Sequence, residues 1–253
     1  SYCSRRLEEF KEKWLGFWKP ILVVVMAISL ILFEPDLGSS AVIFVVALSI
    51  MFIAGAPMKH LLLIFSLGMS VFVVMILAVP WRMKRILSFM NPWETYQEEG
   101  WQLSHSLIAF GRGDWFGVGL GQSLQKLHYL PDAQTDFIFA IIAEEMGLLF
   151  CILLVMLFSF LIFKCFYIGR LARHAQYYLG SYIAYGAGIC IALHVFINIG
   201  VSSGMLPTKG ITLPFISFGG TNLLLMFALV ALVLRINFEI SESFSNKNKI
   251  LNV

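Results

Sequence analysis

The feature that most constrains this chain is a series of six long apolar runs. A helix needs about 20 mostly apolar residues to cross the hydrocarbon core of a bilayer. Soluble domains carry roughly 25% charged residues, whereas this chain has 13% charged and 59% hydrophobic residues. We therefore expect an all-α, polytopic integral membrane protein and exclude a soluble enzyme. The runs are residues 18–33, 37–56, 60–80, 136–163, 179–202 and 220–236.

The basic residues predict how these runs are oriented. If both ends of the chain are cytoplasmic, 12 of the 18 Lys and Arg residues fall on the inner side, as the positive-inside rule requires. The expected organisation is a cytoplasmic loop (1–17), three transmembrane helices (18–80), an extracytoplasmic loop (81–135), three further transmembrane helices (136–237) and a cytoplasmic tail (238–253).

Two connections are unusual. Residues 81–135 are far longer than ordinary loops, so the segment is either functional or disordered; four of the six tryptophans lie there, which favours order. Residues 101–110 predict a helix lying in the membrane interface. Residues 203–219 contain prolines and glycines that forbid a continuous helix, yet they are apolar. Such backbone occurs at membrane depth only where protein buries it or where it lines a cavity, and we expect an outward-facing cavity wall.

Several functions have no support in the sequence. The net charge of +3 comes from scattered residues, so nucleic-acid binding is not indicated. The five histidines show no paired metal-ligand spacing. The glycine-rich stretch 117–121 lacks the context of a nucleotide-binding loop.

Asp136, at the start of the fourth run, has two interpretations. Acidic residues at helix starts usually complement the helix dipole, here with Thr135 as the cap. Alternatively, Asp136 is a general base at the outer membrane rim, where partial desolvation raises its pKa towards the working range. Spacing alone favours the first interpretation.

Three further ionisable residues lie at membrane depth, where charge is costly. Glu144 and Glu145 differ by 100° around a helix, so we expect one to face the cavity and the other a neighbouring helix. A structural role is as plausible as a functional one. Lys209 in the broken segment either binds an anionic ligand or extends its ammonium group to the interface.

Motifs along almost the whole chain resemble the SEDS family (FtsW, RodA and SpoVE), the bacterial proteins of shape, elongation, division and sporulation. The form of the Asn91–Trp93 string and of the glycine-rich stretch is more like the division members. The matching strings are Glu34–Gly38, Asn91–Trp93, Gly111–Ser123, Lys126–Pro131, Thr135–Ala140, Glu144–Glu145, Gly204–Gly210 and Leu213–Gly220.

The resemblance implies a peptidoglycan glycosyltransferase that polymerises lipid II, an undecaprenyl-pyrophosphate-linked disaccharide peptide, at the outer face of the inner membrane during septal wall synthesis. Asp136 matches the family's essential acidic residue, which favours the general-base interpretation. Candidate substrate-binding residues are Arg112, Lys126, His128, Glu144, Glu145, Lys209 and Ser217. We expect Arg112, Lys126, Lys209 or a divalent cation (Mg²⁺ or Mn²⁺) to stabilise the departing pyrophosphate.

The same resemblance implies a class B penicillin-binding protein (a transpeptidase) and other divisome proteins as partners, together with membrane lipid. Two alternatives stay open, a lipid II flippase and a non-catalytic scaffold that activates the penicillin-binding protein. This sequence departs from the family pattern at His128, where an acidic residue is usual, at Phe218–Asn222, and at Glu34. It matches the last six of the family's ten helices, so we expect that the other helices either precede it in a longer chain or are encoded separately, and that this part alone is inactive.

Overall fold

The computed structural model describes residues 14–34 and 36–251, and within these ranges it does not describe the side chains of residues 14–17, 128 and 243–251. All regular structure in these ranges is helical, with no β-strand, which confirms the all-α class. The elements are α1 (Trp14–Phe33), α2 (Leu37–Ile53), α3 (Met58–Leu77), α4 (Pro80–Met90), α5 (Trp101–Gly113), a π-helical turn (Gln125–Tyr129), α6 (Ile138–His174), α7 (Tyr178–Ser202) and α8 (Gly220–Leu251).

Each of the six apolar runs forms a helix. Within the described residues, four helices are long and apolar enough to cross a membrane, namely α3, α6, α7 and the Gly220–Glu242 part of α8. The apolar parts of α1 (Trp18–Phe33) and α2 are shorter. A count of six membrane crossings therefore stays a prediction.

Several helix boundaries differ from the expected ones. The chain is already helical at Trp14, four residues before the first apolar run, and Pro20 lies inside α1. Residues 1–13 of the predicted first loop lie outside the described residues. Residues 238–251, expected as a tail, continue α8. Arg235 Nε and Glu239 Oε1 form an i,i+4 ion pair at 2.9 Å there, which supports the helix.

Helix α4 is not predicted by the apolar pattern. It begins with Pro80 at its first helical position, where proline is favoured.

The chain divides into two compact units. One contains the described residues up to Ser66, Phe160–Ile191 and those from Leu224 onwards. Its core includes Ile21 of α1, Met51 of α2, Leu61 of α3 and Tyr182 of α7. Asp36 starts α2, since its Oδ1 accepts from the amides of Gly38 and Ser39 at 2.9 and 3.1 Å, as expected of an acidic N-cap.

The second unit comprises Leu67–Ser159 and Ala192–Leu223, so it holds most of the long connection and the broken segment. The helix expected at residues 101–110 is present as α5, but its polar side chains Ser104, His105 and Ser106 are buried. The hydroxyl of Ser106 donates to the Ser202 carbonyl at 2.6 Å, and that of Ser104 donates to the Pro92 carbonyl at 3.0 Å. The placement of α5 in the membrane interface stays a prediction.

Helix α6 is interrupted at Gly147, whose φ of +76° is not helical. The loop that follows α5 fills the interruption. The amides of Val118 and Gly119 donate to the carbonyls of Glu144 and Glu145 at 2.9 and 3.0 Å. In return, the amides of Leu148 and Leu149 donate to the carbonyls of Asp114 and Trp115 at 2.9 and 3.3 Å. In a continuous helix these four groups would bond to one another, so the loop supplies a partner for each of the four.

The interruption separates two parts of α6 that differ in their surroundings. Phe139, Ala140 and Glu144 are buried before it, whereas Leu148, Leu149 and Ile152 are exposed after it. The part of α6 after Gly147 has 27 residues, 148–174, about 40 Å at 1.5 Å per residue, which exceeds the roughly 30 Å of a hydrocarbon core. The exposed apolar part therefore suits lipid, and the part before Gly147 suits a protein environment outside it.

We predict that Gly147→Ala destabilises the fold by at least about 2 kcal/mol, because a residue with a Cβ in this backbone conformation, which is essentially restricted to glycine, costs about 1–3 kcal/mol and the loop must also move. A Cβ at Gly147 would lie 2.4 Å from the Gly117 amide nitrogen and 2.5 Å from the Trp115 carbonyl oxygen. Thermal unfolding of the purified protein in detergent measures the change.

Gly111→Ala in α5 is the matched control, since nothing lies within 4 Å of its added Cβ, and alanine favours helix. Equal melting temperatures for Gly147→Ala, Gly111→Ala and the parent would contradict the description of the interruption.

Candidate active site

Asp136 lies in a tight turn immediately before α6. The carbonyl of Asp132 accepts from the amides of Thr135, Asp136 and Phe137 at 3.1, 3.0 and 3.3 Å. Asp132 has a φ of +54°, a conformation that Asp adopts more readily than most residues. The Thr135 hydroxyl also donates to the Asp132 carbonyl, at 3.2 Å, instead of serving as the cap suggested from the sequence.

Two buried side chains join this turn to the broken segment 203–219. One amide group, Asn198 Nδ2 on α7, donates to the carbonyls of Asp136 and Ile211 at 2.9 and 2.8 Å. The Ser217 hydroxyl donates to the Thr135 carbonyl at 2.6 Å and accepts from the Leu213 amide at 2.7 Å. Because both contacts lie beside Asp136, they fix the direction in which its side chain leaves the backbone.

The broken segment has the irregular backbone that its prolines and glycines predict, and Leu213 and Pro214 are fully buried. Its Gly210 faces the Asp136 carboxylate, because a Cβ there would lie 2.9 Å from Asp136 Oδ2. Lys209, half-buried, is the neighbouring residue in the chain. Asn222, in the string that departs from the family pattern, donates to Thr212 Oγ1 at 2.7 Å.

The surroundings of Asp136 favour its protonated form. Burial and the negative charge of Asp132 raise the pKa of Asp136 from 3.8 to about 6, while the positive charge of Arg85 opposes the rise. A carboxyl group with a pKa near the working pH is suited to general acid–base catalysis. The geometry therefore supplies a candidate base in a half-buried position.

Glu144 and Glu145 both anchor the loop at residues 121–126. Glu144 is fully buried and accepts from the Arg112 guanidinium and the Ser123 hydroxyl. It also accepts from the amides of Leu124 and Gln125 at 3.2 and 3.3 Å. This arrangement differs from the expectation that one glutamate faces a cavity and the other a neighbouring helix.

Glu145 reaches the same loop from the next position. Its Oε1 accepts from Lys126 Nζ at 2.6 Å and from the Ser123 amide at 3.3 Å. Ser123 thus contacts both glutamates, through its hydroxyl and its amide. The two carboxylates converge because the loop inserted at Gly147 lies close to both, which helical periodicity alone could not predict.

The remaining predicted site residue, His128, lies in the π-helical turn, and its side chain lies outside what the structure describes. The same turn contacts an aromatic cluster of Tyr96, Trp101, His105 and Tyr129. His105 Nε2 is 2.9 Å from the Tyr96 hydroxyl and its Nδ1 is 2.7 Å from Gln125 Oε1. The amide oxygen accepts only, so Nδ1 carries the proton and the imidazole bridges the turn 91–100 and the π-helical turn.

Three residues near Asp136 have no role in the sequence-based account, namely Arg85, Asn198 and Gly210. Arg85 belongs to a basic group near Trp81, and its guanidinium lies 5.3 Å from that ring's centroid. A lone asparagine in the apolar run of α7 is a signal for a buried polar contact. Across the described part of the chain, no three His, Cys, Asp or Glu side chains come together as a metal site.

The helices and this site define a helical membrane protein in which the loop 114–126, which we call the cap, is anchored to α6, and in which a candidate acid–base residue lies immediately before α6. A family model described as "Cell cycle protein", that of FtsW, RodA and SpoVE, matches residues 1–242. The chain belongs to this family.

Curated relatives are similar over nearly the whole chain. Probable peptidoglycan glycosyltransferase FtsW from Saccharophagus degradans is 48% identical over 242 residues, which are 96% of this chain and 62% of the relative. The protein of the same name from Aliivibrio salmonicida is 44% identical over 97% of this chain and 62% of its own length. The chain thus spans under two thirds of the length of these relatives.

Solved structures show the same fold. A chain from a peptidoglycan synthase complex that coordinates polymerization and crosslinking has a TM-score of 0.72 and 23% identity, covering 94% of this chain and 66% of its own. The rod shape determining protein RodA from Thermus thermophilus has a TM-score of 0.59 and 22% identity, covering 91% of this chain and 60% of its own. The SEDS membrane fold expected from the motifs is confirmed.

We predict that Glu144→Gln lowers the unfolding free energy by about 3 kcal/mol, because removing one partner of a buried ion pair costs roughly 3–5 kcal/mol and Arg112 is partly exposed. Glu144 is 0% exposed and the Arg112 side chain 35%. Denaturation in mixed micelles measures the difference.

Glu145→Gln is the matched control, one residue away. Glu145 is itself 14% exposed, whereas Glu144 is fully buried, and Lys126, the partner of Glu145, is 33% exposed, so we expect a loss below about 1 kcal/mol. Similar losses for the two variants would mean that burial does not distinguish the glutamates.

Proposed function

We propose that this chain is part of a peptidoglycan glycosyltransferase that polymerises lipid II, with Asp136 as its general base. The observation that carries the proposal is the half-buried Asp136 carboxyl, held against Gly210 with its pKa raised to about 6. The relatives in Saccharophagus and Aliivibrio are named as probable peptidoglycan glycosyltransferases, which supports the reaction class.

In the proposed step, the Asp136 carboxylate accepts the proton of the acceptor sugar's 4-hydroxyl group. The oxygen forms a bond to the anomeric carbon of the lipid-linked donor, the bond from that carbon to the pyrophosphate oxygen breaks, and undecaprenyl pyrophosphate departs with the electron pair. With a pKa of about 6, the carboxyl is mostly ionised at pH 7 and is a stronger base than an ordinary aspartate. The proton then passes from Asp136 to water.

The departing pyrophosphate needs positive charge. Arg112 and Lys126 already pair with Glu144 and Glu145, so we assign them to holding the loop rather than to the leaving group. Lys209 adjoins Gly210, beside the carboxylate, and we assign it to the pyrophosphate. If Mg²⁺ or Mn²⁺ takes part, Asp132 is the candidate ligand, since Mg²⁺ is commonly held by one or two carboxylates together with substrate phosphates.

We further propose a class B penicillin-binding protein and other divisome proteins as partners, in the inner membrane with both ends of the chain cytoplasmic. The similar chain in a complex that coordinates polymerization and crosslinking supports this pairing. The distribution of Lys and Arg supports the orientation. Placing the loop 81–135 outside puts Asp136 on the side of the membrane where glycan strands are assembled.

The first test is Asp136→Asn in the full-length protein with its transpeptidase partner. We predict that polymerisation falls by at least about 100-fold, since a general base contributes roughly 10²–10⁴-fold. In the parent, the rate should rise with pH and reach half its maximum near pH 6, where the Asp136 carboxyl ionises. Gel analysis of glycan products from lipid II measures both quantities.

Asp136→Asn also has a stability signature that separates loss of chemistry from loss of folding. The folded state raises the pKa of Asp136 above the ordinary value of 3.8, so ionisation costs stability as the pH rises from about 4 to 6. Asn cannot ionise, and the variant should melt at a higher temperature than the parent at pH 7.5. Full polymerisation by this folded variant would contradict the assignment of Asp136 as the general base and would favour a flippase or a scaffold. A liposome assay of lipid II translocation separates these two alternatives.

A second prediction concerns Gly210. Its φ lies outside the left-handed region, so alanine is permitted there and the main consequence of Gly210→Ala is the added methyl group 2.9 Å from Asp136 Oδ2. We expect at least about a tenfold loss of kcat with little loss of stability, since displacing a catalytic group by 1 Å can cost about 100-fold.

Gly220→Ala, with nothing within 4 Å of its added Cβ, is the control and should retain full activity. If Gly210→Ala is as active as Gly220→Ala, the side of Asp136 that faces Gly210 plays no part in the reaction.

A further inference from the structure

A cleft of about 350 Å³ opens beside the Asp136 turn. Its walls are Arg85 on α4, Gln97 to Glu99 in the turn 91–100, Trp101 and Gln102 at the start of α5, and Pro131. Ligand pockets range from roughly 300 to 1,000 Å³, so the cleft has room for a small ligand or for one unit of a longer one. None of its residues takes part in the mechanism proposed above.

The cleft is linked to Asp136 in two ways. Pro131 lines it and immediately precedes Asp132, whose carbonyl accepts from the Asp136 amide at 3.0 Å. Arg85 also lines it, and its charge acts on the Asp136 carboxyl. A ligand in the cleft therefore lies next to the segment that carries the base.

The lining chemistry excludes two classes of ligand. Its glutamates, Glu98 and Glu99, outnumber its one guanidinium, Arg85, and Lys84 reaches Glu99 only at 4.0 Å with its side chain 66% exposed. This charge balance disfavours a phosphate or pyrophosphate group. The carboxylates, amides and guanidinium would lose hydration without compensation against a polyprenyl chain.

The same lining suits a neutral, hydroxyl-rich ring. Carboxylate oxygens accept from hydroxyl groups, and the amides of Gln97 and Gln102 both donate and accept. Trp101 supplies an aromatic surface, and its indole N–H donates to the Tyr129 carbonyl at 2.7 Å. Its ring centroid lies 4.2 Å from that of His105 and 5.3 Å from that of Tyr96. The indole is thus held in place before a ligand arrives, which lowers the entropic cost of binding.

We propose that this cleft is a saccharide subsite, which holds a neutral sugar unit of the acceptor glycan beside Asp136. This inference rests on the proposed function for the identity of the glycan, and on the cleft alone for the class of ligand. The subsite orients the acceptor, so that one hydroxyl reaches the base while the remaining sugar units extend away from the membrane.

The test measures binding of tetra-N-acetylchitotetraose, a soluble and neutral probe, to the full-length protein in nanodiscs by calorimetry. Glu98→Gln replaces a charged hydrogen-bond acceptor of the cleft by a neutral amide, and Gln102→Ala removes an amide. We expect Kd to rise by about tenfold for Glu98→Gln and by about fivefold for Gln102→Ala, since a hydrogen bond to a charged group is stronger than one between neutral groups. Glu94→Gln is the matched control, since Glu94 lies in the same turn and carries the same charge but does not line the cleft; its Kd should equal that of the parent.

Two results would overturn the proposal. One is that the tetrasaccharide does not bind saturably, or binds with a Kd that neither Glu98→Gln nor Gln102→Ala changes. The other is displacement of the probe by inorganic pyrophosphate with the Kd of pyrophosphate altered by Glu98→Gln, which would assign the cleft to an anion.

Asp136→Asn keeps the two proposals separate. The variant should bind the tetrasaccharide with the parent Kd while polymerisation is lost. Polymerisation by Asp136→Asn would refute the general-base function and leave the subsite intact. If Asp136→Asn loses polymerisation but neither it nor the parent binds the tetrasaccharide, the subsite proposal is refuted and the general-base proposal stands.

Discussion

The exchange of four backbone hydrogen bonds between the glycine-rich loop and the interruption of α6 is the interaction on which the second unit depends. A helix that stops in a largely apolar segment exposes amides and carbonyls, and each costs free energy unless it finds a partner. The loop at residues 114–119 supplies those partners in register. Glycine is required at positions 117 and 147, because both have positive φ and a Cβ at either would overlap backbone atoms. The interruption and the loop are therefore one structure, and neither persists without the other.

This arrangement also explains why ionisable residues are present in so apolar a chain. Glu144 and Glu145 precede the interruption and face the loop that fills it, where Arg112 and Lys126 neutralise them. They are anchors of an ordered cap. Asp136 is different, since Asn198 and Ser217 hold its backbone while its carboxyl stays half-buried, with like charge from Asp132. The cap is held rigidly against α6, and the turn before α6 carries Asp136, whose pKa is raised to about 6.

The sequence predicts the helices well and the cap only in part. Apolar runs determine the helices because burial in lipid leaves few alternatives, and prolines and glycines mark the broken segment 203–219. The interruption at Gly147 is not predicted, because a single glycine in an apolar run normally continues a helix, and the partner that satisfies the released groups is about 30 residues away. For the same reason helical periodicity placed Glu144 and Glu145 on different sides. Asp136 is predictable from motif resemblance, whereas Arg85, Asn198 and Gly210 are found only when distant segments are brought together.

The central claim is that the folded protein raises the pKa of the Asp136 carboxyl from 3.8 to about 6. Infrared difference spectroscopy of the full-length protein against Asp136→Asn isolates the carboxyl C=O stretch of this one residue and follows it through a pH titration without relying on turnover. The account predicts a protonated band that disappears with a midpoint near pH 6. A midpoint near 3.8, the value of an unperturbed aspartate, would contradict it, because Asp136 would then be an ordinary solvated residue at the start of a helix.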